Sequence, residues 1–198
     1  SMPVGFKNGT KGSIDLARDA IISASHEHCF MSITNKGEPA ISTTYGNKHC
    51  HLILRGGITT NYSNKYVNIA RNVLIQANIT PNIMIDCSHG NSNKDFRNQK
   101  FVFKDVIQQI KNGENDIIGL MLESNINQGR QNLEPNKELR YGVSITDSCI
   151  SFTETEDLIN YAYKHLPYLI YLILLILFIF SILSNVLSRL DLLSFTNK

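Results

Sequence analysis

Five short apolar runs recur through the first two-thirds of the chain, each carrying at or near its end a residue that can hold phosphate or metal. They are Pro3-Val4-Gly5-Phe6-Lys7, Cys29-Phe30-Met31-Ser32-Ile33, His51-Leu52-Ile53-Leu54-Arg55, Ile83-Met84-Ile85-Asp86-Cys87-Ser88-His89 and Ile117-Ile118-Gly119-Leu120-Met121-Leu122-Glu123. Stretches with helical spacing lie between them. Strands alternating with helices, with the chemistry gathered at the strand ends, predict a parallel (β/α) barrel, whose active site sits at the C-terminal rim. The residues expected at that rim are Lys7, Arg55, His89 and Glu123.

The helical stretches are legible from their apolar spacing. Ile14, Ala17, Ile21 and Ile22 share one face after the polar loop Asn8-Gly9-Thr10-Lys11-Gly12. Ser13 is a plausible cap there, and Asp15 suits the positive end of the helix dipole. A second helix is predicted from about Asn64 to Ala77, with Tyr66, Ala70, Val73, Leu74 and Ala77 inward. A third runs from about Lys94 to Asn112 on Val102, Phe103, Val106, Ile107 and Ile110, closed by Asn112-Gly113. The last begins near Thr155 and shows Leu158, Ile159 and Ala162. Two connections are long: Thr34–Cys50, with room for a short hairpin, and Asn125–Ile145, which lacks helical period. Long loops after barrel strands belong to the active rim. This brings Asp147 within reach of Glu123.

A chain of 198 residues suggests one domain. The formal net charge of +2 is spread without a basic block, which argues against a nucleic-acid partner. The four cysteines, Cys29, Cys50, Cys87 and Cys149, have no metal-finger spacing. Together with the absence of a signal-peptide pattern, they fit a reducing cytoplasm.

Lys7 and Arg55 are cations at strand ends, and Arg55 precedes Gly56-Gly57. A guanidinium offers phosphate a planar fork of donors, an ammonium offers a point charge, and glycines let phosphate approach the backbone. Taken singly, each is equally well a solvated loop charge. His89, Glu123 and Asp147 form a second group, one nitrogen and two carboxylates. That set suits a divalent first-row metal better than a structural zinc site. His89 alone, before Gly90-Asn91-Ser92, would pass for a turn residue. A barrel lysine can also form a Schiff base, so a metal-free aldolase stands as the rival chemistry.

The strings GFKNGT (5–10), HLILRGG (51–57), DCSHGNS (86–92), IIGLMLES (117–124) and YGVSITDSCI (141–150) closely resemble the type I 3-deoxy-D-arabino-heptulosonate 7-phosphate synthases. The resemblance spans about 160 residues. It implies a (β/α)8 barrel that condenses phosphoenolpyruvate with erythrose 4-phosphate at the head of the shikimate pathway, with a divalent metal of the manganese, iron or cobalt type. It implies Lys7 and Arg55 as phosphoenolpyruvate ligands, Lys7 and His89 as catalytic residues, and His89, Glu123 and Asp147 as three of four protein metal ligands. The fourth, a cysteine near the start of the barrel, has no counterpart among the four present. The enol carbon would attack the aldehyde, water would add to the neighbouring carbon, and phosphate would leave. Phe30 and Ser32 would lie on a strand lining a regulatory pocket for an aromatic amino acid. The full-length enzyme would be a homo-oligomer.

Aligned to that family, residues 1–165 read as the last five βα units of eight, so the chain is expected to be an incomplete fragment. On its own it is expected to aggregate or stay molten, to bind metal weakly and to lack synthase activity. Residues 166–198 form a separate apolar tail, whose stretch 166–183 carries no charge and just reaches membrane-spanning length as a helix. It reads as an out-of-frame segment or as a membrane anchor. The anchor reading carries the alternative of a non-catalytic, membrane-attached remnant or interaction protein.

Overall fold

The computed structural model describes residues 2–135, 137–166 and 173–178. Their elements run β1 (Val4–Lys7), α1 (Asp15–Ser25), β2 (His28–Ile33), β3 (Pro39–Thr44), β4 (Cys50–Leu54), α2 (Asn64–Gln76) and β5 (Ile83–Asp86). They continue with α3 (Gln99–Lys111), β6 (Ile117–Asn125), β7 (Ile150–Ser151), α4 (Phe152–His165) and β8 (Ile173–Phe178). Five strands lie in the order β1-β4-β5-β6-β7, every pair parallel. Parallel neighbours need a crossover between them. Here α1, α2 and α3 each follow one parallel strand and precede the next in the sheet, β2 and β3 being inserted after α1.

Alternation along the strands sorts the two faces. Leu52 and Leu54, Ile83 and Ile85, Leu120 and Leu122 join Phe103, Val106, Ile107, Leu74 and Leu158 in the main core under the helices. The residues between them, Ile53, Met84 and Met121, form a small cluster of their own on the other face. At about 2 kcal/mol for each fully buried aliphatic side chain, the helix-facing layer supplies most of the apolar stabilisation. The opposite face also carries Lys7, level with Ile53, and Asp86 and Glu123, each two residues beyond Met84 and Met121 along its strand. A bulge keeps this sorting intact on β6. Ile83 pairs with Ile117 but Met84 pairs with Gly119, so Ile118 is the extra residue. The offset lets Ile117 and Leu120, three apart, both enter the main core.

Three readings of the sequence need correction. Cys29–Ile33 is no member of the parallel sheet. As β2 it pairs with β3 in a separate antiparallel hairpin, closed where the Gly37 amide donates to the Thr34 carbonyl. Strands of a parallel sheet are covered on both faces, whereas Phe30, Met31 and Ile33 are exposed. Ile150–Ser151 is the fifth parallel strand instead. The third helix starts at Gln99, not Lys94, because Asn93 and Lys94 take left-handed backbone angles and Asp95 caps a single 3₁₀ turn at Phe96–Asn98. In the apolar tail, the described part of the segment read as a helix, Ile173–Phe178, is strand β8, parallel to β6. β7 pairs only with Ser124 and Asn125, which leaves the backbone of Gly119–Glu123 to be paired by another strand. The rest of 167–183 lies outside the described residues. Among the described residues no helix is long and apolar enough to cross a membrane.

The loops after β1, β4 and β5 meet at the rim. Gly57 faces the backbone of Gly12, and Gly56 that of Gly90, so closely that a Cβ on either would fall about 2.5 Å from main-chain atoms. Three buried asparagines stitch these loops together. Asn8 Oδ1 accepts from the Arg55 amide at 2.8 Å, and Asn8 Nδ2 donates to the Gly56 carbonyl at 2.8 Å. Asn61 Oδ1 accepts from the Gly56 amide at 2.7 Å, and its own amide donates to Asn91 Oδ1 at 2.8 Å. Asn91 Nδ2 donates to the carbonyls of Leu54 and Asp86. Truncating one member leaves several backbone groups buried and unpaired, at about 1–3 kcal/mol each. Asn61→Ala should therefore lower stability in urea by about 2 kcal/mol or more, while Asn72→Ala on the exposed side of α2 stays within about 0.5 kcal/mol.

Candidate functional site

The strand ends converge on a fully buried carboxylate. Asp86, the last residue of β5, receives Lys7 Nζ from the end of β1 at 2.8 Å. Its Oδ1 accepts from the amide and the hydroxyl of Ser88 at 2.9 and 2.7 Å. His89 Nδ1 lies 3.0 Å from its Oδ2. Burial by itself pushes the Asp86 carboxyl up. The hydrogen bonds and charges of His89 and Lys7 outweigh that and hold it below the usual carboxylate range. An ionised Asp86 can only accept, so the proton of a neutral His89 belongs on Nδ1 and the lone pair on Nε2. Nε2 then points at Glu123 Oε1, 3.2 Å away, and at Asp147 Oδ2, 3.8 Å away.

His89, Glu123 and Asp147 each offer one ligand atom, all within 4.8 Å of one another. Glu123 is held by its backbone. The buried side-chain amide of Gln99, first residue of α3, accepts from the Glu123 amide at 2.9 Å and donates to its carbonyl at 3.1 Å. Burial, with added repulsion from Asp86 and Asp147, drives the Glu123 carboxyl up to about 7 against the opposing pull of His89 and Ser88. A buried carboxylate crowded by two others is stabilised in its charged form by a cation. One imidazole nitrogen and two carboxylates of this spacing suit a divalent first-row ion. Cys149, two residues past Asp147, is pushed up to about 11 by burial and stands outside this trio.

Above the trio opens a cavity of about 740 Å³, lined by Arg55, His89, Glu123 and Asp147 among others. The Arg55 side chain has no ion-pair partner among the described residues, and its backbone is fixed from both sides by Asn8 and by the Gly90 amide. The structure thus brings five of the residues singled out in the sequence into one constellation: Lys7, Arg55, His89, Glu123 and Asp147. The Lys7 ammonium is tied to Asp86. Schiff-base chemistry needs a free amine, so this pairing disfavours the metal-free alternative. Phe30 and Ser32 belong to the separate hairpin, where Phe30 is half exposed and the Ser32 hydroxyl meets that of Ser42 at 2.5 Å. Asp86, Gln99 and the three asparagines were not anticipated as site residues. Asp86, Asn8 and Asn91 lie inside strings quoted above, whereas Gln99 carries no signal beyond its position near a helix start.

The model of the DAHP synthetase I family matches residues 1–160. The chain is 50% identical over 167 residues to the Tyr-sensitive phospho-2-dehydro-3-deoxyheptonate aldolase of Salmonella typhimurium, covering 84% of this chain and 47% of that protein. It is 50% identical over 159 residues to the Phe-sensitive enzyme of Escherichia coli K12, covering 80% and 45%. Among solved structures it is similar to phospho-2-dehydro-3-deoxyheptonate aldolase from Francisella tularensis, with a TM-score of 0.78 and 43% identity over 84% of this chain and 49% of the other. The chain therefore spans about half the length of these relatives.

The geometry makes Asp86 the residue that orients His89. Asp86→Asn keeps the shape but weakens the acceptor that fixes the imidazole, and should reduce manganese affinity by about 10–100-fold, read by the paramagnetic resonance signal of the free ion.

Proposed function

The chain belongs to the DAHP synthetase I family, and on that premise we propose that it forms the C-terminal rim of a synthase. The enzyme would condense phosphoenolpyruvate with erythrose 4-phosphate to 3-deoxy-D-arabino-heptulosonate 7-phosphate, the first step of the shikimate pathway. The observation that carries this reading is the grouping of His89, Glu123 and Asp147 within 4.8 Å on a cavity that Arg55 also lines. The sheet order and the site at the C-terminal strand ends support the finer reading of five βα units of a (β/α)8 barrel. Four free thiols suit a reducing compartment, and the family's regulatory pocket would fall on the β2–β3 hairpin at Phe30 and Ser32.

A divalent ion held by His89, Glu123 and Asp147 would supply Lewis-acid polarisation of the aldehyde oxygen. The other steps belong to the chain's own residues. Arg55, with no ion pair of its own, presents a fork of donors to the phosphate of phosphoenolpyruvate. Lys7 has given one donor to Asp86 and keeps two for the substrate. Asp86 holds both Lys7 and His89 in place, so substrate and aldehyde are aligned before the carbon–carbon bond forms. The enol carbon of phosphoenolpyruvate then attacks the aldehyde carbon, water adds at the carbon bearing phosphate, and inorganic phosphate leaves with its bridging oxygen.

Two substitutions test the division of labour. Arg55→Ala should weaken phosphoenolpyruvate binding by about tenfold or more, the loss of a charge-assisted contact, while manganese binding holds. His89→Ala should do the reverse in calorimetric titrations and should abolish any manganese-dependent consumption of phosphoenolpyruvate with erythrose 4-phosphate. Phosphoenolpyruvate binding that ignores Arg55, or turnover that survives His89→Ala, would sink the assignment. A chain that binds neither ligand fits the non-catalytic reading.

A further inference from the structure

Pairing between β5 and β6 stops short of the metal-ligand candidate on β6. Its last rung there is Met121, whose carbonyl accepts from the Cys87 amide at 2.9 Å. Main-chain groups of every second residue in a strand face the same neighbour, so the amide and carbonyl of Glu123 come next on that edge, beyond the end of β5. Gln99 supplies what a strand would. A primary amide carries an acceptor oxygen and donor hydrogens, as a peptide unit does. Gln99 Oε1 accepts from the Glu123 amide at 2.9 Å, and Nε2 donates to the Glu123 carbonyl at 3.1 Å. Gln99 has no exposed surface, so neither bond competes with water.

The same glutamine is joined to His89 by a stiff link. Of four non-glycine residues with positive φ among the described residues, three fall in the turn after β5: His89, Asn93 and Lys94, at 52°, 54° and 60°. Such angles cost energy and persist only where the surroundings impose them. Here the Lys94 amide and the Ser92 hydroxyl donate to the His89 carbonyl at 2.8 and 3.2 Å, and the Asn93 amide donates to that of Gly90 at 3.2 Å. Further along, Asp95 Oδ1 accepts from the Arg97 amide at 3.0 Å and the Asp95 carbonyl from the Asn98 amide at 2.9 Å. Asn98 Nδ2 then donates back to the Ser92 carbonyl at 3.0 Å. These bonds close residues 89–98 on themselves. One end of the link presents His89 to Asp86, and the other grips the main chain that carries Glu123.

We propose that Gln99 is a positioning residue of the candidate metal site. It carries the fixed turn across the end of β5 and sets the place of the Glu123 carboxylate, whose Oε1 lies 3.2 Å from His89 Nε2. It acts through the Glu123 backbone rather than as a ligand. This rests on the reading of His89, Glu123 and Asp147 as ligands of a divalent ion. Completing a strand end and setting a ligand are separable roles, because a neighbouring buried bond on β6 has no hold on Glu123. Ser124, the next residue, meets the Thr155 hydroxyl at 2.6 Å, with both residues fully buried.

The test uses the full chain with manganese alone as the probe. Paramagnetic resonance of the free ion gives the affinity, the spectrum of the bound ion reports the symmetry of its ligands, and urea unfolding gives stability. Gln99→Met fills the same space without either bond, and Gln99→Asn keeps the amide on a side chain one methylene shorter. Thr155→Val removes the neighbouring hydroxyl pair as a control. All three should lower the urea midpoint. Only the Gln99 variants should also change the bound-ion spectrum and lose manganese affinity, by about tenfold or more for Gln99→Met. Should Gln99→Met fail to fold, Gln99→Asn carries the same expectation with a smaller loss. An unchanged affinity and spectrum in the folded Gln99 variants, or an equal loss in Thr155→Val, overturns the positioning role. An unaltered chain that binds no manganese, or that binds it as well after His89→Ala, instead overturns the metal reading, and the role of Gln99 falls with it.

Discussion

A single carboxylate in the dry interior organises the rim. Asp86 has no exposed surface, and a buried charge persists only where partners compensate its lost hydration. Those partners come from two places in the sequence: Lys7 at the end of β1, and Ser88 and His89 in the turn after β5. Satisfying Asp86 therefore fixes, in one network, the Lys7 ammonium and an imidazole aimed at Glu123 and Asp147. Lys7 and His89 owe their directions to a residue that lies outside the group of His89, Glu123 and Asp147.

Around that carboxylate the loops have almost no freedom. Backbone-to-backbone packing at Gly56, Gly57 and Gly90 leaves no room for a Cβ. The polar groups this close packing buries are then paired by Asn8, Asn61 and Asn91. Packing and hydrogen bonding here are two sides of one constraint: main chains can approach closely only if their amides and carbonyls find partners. Rigid loops on a parallel sheet are what a site assembled from four strand ends needs, because an error of an ångström in any loop would separate the trio.

The legibility of the sequence follows the range of the forces involved. Strands β1, β4, β5 and β6 and the helix faces were readable, since apolar periodicity is a local consequence of burial. The hairpin was misplaced because Cys29–Ile33 is as apolar as a barrel strand, and composition does not reveal that both its faces are exposed. The start of α3 was misjudged because left-handed Asn93 and Lys94 interrupt a pattern that looks helical. Tertiary placement also escaped a local reading for Gln99, whose side chain pairs with the Glu123 backbone 24 residues away. The grouping of His89, Glu123 and Asp147, by contrast, was legible from strand-end position and residue chemistry, with Asp147 reached through the argument about long rim loops. Asp86 was in plain view within DCSHGNS, yet a lone aspartate at a strand end gives no sign of being buried.

The charges at the rim are segregated, and this shapes what the cavity can accept. Glu123 and Asp147 crowd His89 on one side, strongly enough that burial and mutual repulsion carry Glu123 to about 7. Arg55, Lys94 and Arg130 line the same cavity without forming ion pairs to those carboxylates. The backbones that carry these cations are anchored separately: Arg55 by Asn8, Lys94 by the His89 carbonyl, Arg130 by the strand-like pairing around Ser144 and Cys149. Separation leaves the carboxylates to attract a cation and the guanidinium and ammonium groups to attract anions. A ligand that carries both an anionic and a metal-binding group suits such a division of charge, whereas a uniformly apolar or uniformly cationic molecule does not.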